Sequence, residues 1–71
     1  MEIKEGMLFK SSDNVYIYSI EAIDKDESTI CVDILNHDRI FLANRCWNLY
    51  EVIKQIEAGT IVQYDDNVFE F

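Results

Sequence analysis

The sequence predicts an α+β domain in the order β-β-β-β-α-β, with one helix and room for a short sixth strand. Either a small twisted antiparallel sheet or an SH3-like barrel would accommodate that order. Three observations predict it. Short β-rich runs recur between turn-forming clusters, and only one segment has helical periodicity with a start and a stop signal. Proline is absent and glycine occurs only at Gly6 and Gly59, so nearly every residue can belong to a strand, a helix or a tight turn.

Gly6 to Lys10 reads as a first strand, stopped by Ser11-Ser12-Asp13-Asn14. Val15 to Ile23 is the longest β-rich run. Its apolar residues fit either an Ile17 or an Ile20 register, which suggests a strand that bends midway. Asp24-Lys25-Asp26-Glu27-Ser28 forms a charged hairpin tip. Thr29 to Leu35 then alternates cleanly, with Ile30, Val32 and Ile34 inward and Thr29, Cys31 and Asp33 outward. Asn36-His37-Asp38 makes the next turn, and Arg39 to Ala43 a fourth strand that completes a meander.

The helix is the best-specified element. Asn48 is a natural N-cap with Glu51 three residues on, as in a capping box, and Trp47 and Val52 occupy the positions of a hydrophobic staple. Leu49, Val52, Ile53 and Ile56 form one apolar stripe, and Gly59 supplies the left-handed stop. Thr60 to Tyr64 is a fifth strand. After a turn at Asp65-Asp66-Asn67, Val68 to Phe71 can return as a sixth, with Phe69 packed against the sheet or the helix.

Seventy-one residues make a single domain, 1–71, near the lower limit for a core that holds unaided. A 49% hydrophobic content excludes a disordered chain. The net charge of −8, from 14 acids against 6 bases, argues against direct nucleic-acid binding and against docking on an anionic membrane. It points to a basic protein partner, or simply to solubility. MEIKEGMLFK has no apolar run of signal-peptide length, and Cys31 and Cys46 are spaced neither as a metal knuckle nor as a redox pair. A cytoplasmic chain with two reduced thiols is expected.

Gly6-x-x-Phe9, Tyr16-x-Tyr18, Ile20-x-x-Ile23-Asp24, Trp47-x-Leu49 and Ile56-x-x-Gly59 together resemble many short β-rich proteins encoded by phages, prophages and mobile elements. The resemblance spans most of the chain but consists of hydrophobic spacings and turns. It implies an origin and, through that origin, a host-directed role. It carries no catalytic residue across.

No catalytic or metal site is expected. Asp24, Asp26 and Ser28 alternate as in a calcium loop, yet Thr29 and Leu35 stand where such a loop needs glycine and a bidentate acid. His37 is the only histidine, and Cys31 and Cys46 are the only thiols it could activate. A metal bound by all three would still lack a fourth ligand. No cofactor is implied, and the chain does not read as an enzyme.

Candidate partner-binding residues are Tyr16, Tyr18, Tyr50 and Tyr64, with the acidic tail residues Asp65, Asp66 and Glu70. If Ile17 points inward, Tyr16 and Tyr18 form an exposed aromatic strip. Trp47 is either a staple under the helix or an interface anchor. The acids at Asp24, Asp26 and Glu27 and in the tail would cover only a short footprint as a nucleic-acid mimic, against a plain reading as solvated charge. The function these features predict is a small acidic module that modulates or inhibits a partner by covering its surface, including a mobile-element inhibitor of a host defence protein. The alternative is a structural domain that self-associates into a homodimer through an aromatic edge.

Overall fold

The computed structural model describes residues 3–64. The expected sixth strand, the packing of Phe69 and the acidic cluster of Asp65, Asp66 and Glu70 lie outside the described residues.

The described chain is α+β, with β1 (Leu8–Ser11), β2 (Tyr16–Asp24), β3 (Thr29–Asn36), β4 (Phe41–Asn48), α1 (Leu49–Ala58) and β5 (Ile61–Gln63). All strand pairings are antiparallel, in the spatial order β4-β3-β2-β1-β5. The first four strands are a meander, because each is joined to the next by a turn too short for any other route. The helix then carries the chain from the β4 edge to the opposite edge, where β5 joins β1. The sheet is therefore open, with β4 and β5 as its edges. An SH3-like barrel would need those edges to meet, and they do not.

Alternation assigns the two faces. On one, Phe9, Ile20, Ile30 and Val32 are buried against Leu49 and Val52 of α1, with Tyr18, Ile34, Trp47, Ile53, Ile56 and Ile61 packed around them. Burying side chains of this size contributes roughly 1.5–3 kcal/mol each, so this cluster is the main source of stability. On the reverse face only Ile17 is buried, paired with Lys10 on one side and Leu35 on the other. Both registers considered for β2 are thus satisfied, one on each face. The bend predicted for this strand is a bulge between Ile20 and Ala22, which keeps Ile20 and Ile23 on the helix side.

The helix forms as its signals require. Asn48 Oδ1 accepts from the N–H groups of Tyr50 and Glu51 at 3.0 and 3.1 Å, satisfying donors that helical bonds cannot reach. Glu51 does not complete the box but turns to Lys54 Nζ, 3.6 Å away. Gly59 closes the helix at φ 83° with its N–H on the carbonyls of Gln55 and Ile56.

Two expectations are corrected. The fourth strand does not end at Ala43 but runs to Asn48, so Cys46 lies within it. The β3–β4 register sets Cys46 directly opposite Cys31 with Cα atoms 4.0 Å apart, and the two are joined in a disulfide rather than held as reduced thiols. The cause is the register: the shift between Ile34 and Leu35 adds one residue on β4 and so brings Cys46 opposite Cys31, in a pair not bonded through the main chain, where side chains lie closest.

Candidate functional site

The helix crosses the sheet obliquely and leaves an open cleft of about 560 Å³ along one flank. Glu51, Val52 and Gln55 of α1, Trp47 and Asn48 of β4 and Tyr18 of β2 line it. The β1–β2 turn, through Ser11, Ser12 and Asp13, closes one end together with Thr60 and Ile61. Tyr18 and Trp47 meet edge to face, with ring centroids 5.7 Å apart and planes at 77°. This arrangement suits the ring quadrupoles, and both rings remain only half-buried.

The turn that supplies Asp13 is tightly built. Ser11 Oγ and the N–H of Val15 both donate to Asp13 Oδ1, while the N–H of Tyr16 donates to Ser11 Oγ at 3.1 Å. Asn14 takes φ 63°, a conformation asparagine tolerates. The Ser11 hydroxyl, and then the Val15 amide, hold the Asp13 carboxyl below its ordinary range, because both donate to the charged form. Burial pushes the Tyr18 phenol up, and the nearby charge of Asp13 adds to the rise.

A second exposed feature lies at the far end of β4. Ile40, Phe41 and Leu42 are consecutive and 60%, 58% and 49% exposed. Among the described residues, no strand pairs with the outer side of β4. Leu49 N–H bonds Ser28 O, which fixes the alternation, so Arg45 and Trp47 pair with β3 through their main chains while Asn44 and Cys46 point theirs outward. The Asn44 carbonyl accepts instead from Arg45 Nη1, at 2.8 Å.

The sequence-predicted residues do not converge. Tyr16 is exposed, but Tyr18 faces the helix side and Trp47, since Ile17 takes the reverse face; the two tyrosines form no common exposed strip. Tyr50 stands exposed on α1. Tyr64 is half-buried beneath the guanidinium of Arg39, 5.6 Å from the ring centre. Trp47 packs on the core cluster, as expected of a staple, and also lines the cleft. Asp24 organises its hairpin by accepting from the N–H groups of Asp26 and Glu27. His37 lies 3.5 Å from Asp38 on an exposed turn, and with both cysteines in the disulfide it has no thiol to activate. Among the described residues, no group of three or more His, Cys, Asp or Glu side chains is placed to hold a metal ion. No helix among them is long and apolar enough to cross a membrane.

Sequence reasoning did not find the cleft or the Ile40–Leu42 patch. Three consecutive apolar residues beside a turn were the available signal for the patch, whereas nothing local unites Asp13, Trp47 and Glu51. Comparison with protein families, curated proteins and solved structures gives no match to this chain.

Proposed function

We propose that the protein is a small acidic binding module that covers a surface of a basic protein and modulates or inhibits it by occlusion. The observation that carries this reading is the Ile40-Phe41-Leu42 patch, three adjacent large apolar side chains left about half exposed or more at the end of a strand. Chains this small need their apolar area for folding, and contiguous exposed apolar surface is a mark of contact sites. The net charge of the chain, −8, favours a basic partner by steering and by repelling acidic competitors. The resemblance to phage and mobile-element proteins gives the reading its specific form, an inhibitor of a host defence protein; a gene location among phage genes would support that form.

The test is affinity capture at low and high salt with the wild-type chain and with Phe41→Ser/Leu42→Ser. The reading predicts a basic protein that is retained at low salt, lost at high salt and lost in the variant, and whose activity falls on binding. Capture indifferent to both the salt and the variant would overturn it. The cytoplasmic placement that accompanies the reading conflicts with a standing disulfide, since the cytosol keeps thiols reduced. Alkylation of Cys31 and Cys46 in freshly lysed cells distinguishes the two.

One observation favours the second reading, self-association: β4 is an open edge with outward main-chain groups at Asn44 and Cys46, the template on which a second copy could pair. Sedimentation across concentration separates it from the first reading.

A further inference from the structure

We propose that the cleft between α1 and the sheet receives an arginine side chain of the basic partner, its guanidinium held against Trp47 and Tyr18 and paired with Asp13 and Glu51. The inference rests on the binding-module reading and names the chemistry of a second contact, separate from the Ile40–Leu42 patch.

The lining favours a cation over other ligands. Among the described residues, two carboxylates, Asp13 and Glu51, belong to its lining, and no lysine, arginine or histidine does. An anion would meet both charges. It would also find the helix N-terminus already used, because Asn48 accepts from the N–H groups of Tyr50 and Glu51 and the N–H of Leu49 bonds Ser28. A neutral apolar group would displace water from both carboxylates and add no charge to offset theirs. A cation answers both charges and is attracted by the aromatic quadrupoles, most strongly by tryptophan.

Arginine fits better than lysine. Its planar guanidinium stacks on rings and is weakly hydrated, and it directs five donors outward in a plane. The lining also carries acceptors for those donors, in the carboxylate of Glu51, the amide of Gln55 and the hydroxyls of Ser12 and Thr60. Asp13 is held ionised by its own turn, and its charge is already felt at Tyr18. Lys54, 3.6 Å from Glu51 and exposed, is the internal cation that an incoming arginine would displace.

Trp47 is the only tryptophan, so its fluorescence reports the cleft directly. The experiment titrates the full chain with a hexa-arginine peptide and, as a neutral isostere, a hexa-citrulline peptide, with amide shifts recorded in parallel. The proposal predicts a saturable change in Trp47 emission with arginine and binding weaker by about tenfold or more with citrulline. Glu51→Gln, alone or with Asp13→Asn, should weaken arginine binding about tenfold, whereas the pair Asp38→Asn/Glu21→Gln, on the β3–β4 turn and the reverse face, removes as much charge and should change it by less than about twofold. Amide shifts should map to Tyr18, Asn48 and Gln55. Equal binding of citrulline, equal loss in the Asp38→Asn/Glu21→Gln pair, or no response at Trp47 would each overturn the proposal. If the cleft stays silent while a captured basic protein still perturbs Phe41 and Leu42, the arginine site is lost and the binding-module reading stands. If the patch is silent and the cleft responds, the reverse holds.

Discussion

The two faces of the sheet differ sharply. The helix side buries Phe9, Ile20, Ile30 and Val32 under Leu49 and Val52. The reverse side buries Ile17 alone and leaves Leu35 and Phe41 in line with it less covered, beside polar groups such as Asn44, whose Nδ2 donates to the carboxylates of both Glu21 and Asp33 across three strands. One face therefore supplies most of the folding free energy, while the reverse face and the β4 edge are held by main-chain pairing, a polar bridge and a disulfide. A 71-residue chain with a single buried layer has little stability to spare, so apolar groups left off that layer point to use outside the fold.

Substitutions can break or sharpen this contrast. The largest effect is expected from Ile30→Ala on the helix side, where a fully buried side chain leaves a cavity: about 3–4 kcal/mol in denaturant unfolding. A loss below about 1 kcal/mol there would mean that the helix side is not the stabilising layer. On the reverse side, Cys31→Ser/Cys46→Ser should cost about 2–3 kcal/mol through a less constrained unfolded chain, given a sequence separation of 15. No change relative to the wild type under oxidising conditions would show that the link is absent or inert.

Gly59→Ala should cost about 1 kcal/mol. A Cβ at Gly59 meets nothing within 4 Å, so the loss comes from the backbone at φ 83° alone. An unchanged denaturant midpoint would contradict that assignment. The smallest effect is expected at the patch. Phe41→Ser should shift stability by less than about 0.5 kcal/mol, because its ring is mostly in water already. A loss as large as that of Ile30→Ala would return Phe41 to the core and remove the reason to read the patch as a contact surface.

How much of this was legible in the sequence depends on the range of each interaction. The helix was readable because its cap at Asn48, its stripe and its stop at Gly59 act within a few residues of one another. The inward set of β3, Ile30, Val32 and Ile34, was readable from period-two alternation. The extension of β4 through Asn44 and Arg45 was not, because two polar residues end an apolar run and only pairing with β3 keeps them in a strand. The Cys31–Cys46 pair was not legible, because it depends on a register shift between Ile34 and Leu35 that spacing about the β3–β4 turn cannot report. The open sheet follows from where α1 delivers β5, and the cleft unites Asp13, Trp47 and Glu51 from three distant parts of the chain. No local pattern encodes either.

The most direct test of a molecule folded on one face and open along β4 is amide hydrogen exchange, residue by residue, on the chain at a concentration where sedimentation shows a monomer. The account predicts slow exchange at Ile30, Arg45 and Trp47, whose main chains pair within the sheet, and fast exchange at Asn44 and Cys46, whose N–H groups point outward. Uniform protection along β4, with Asn44 and Cys46 as slow as Arg45 and Trp47, would show that the edge is already occupied and would contradict the account.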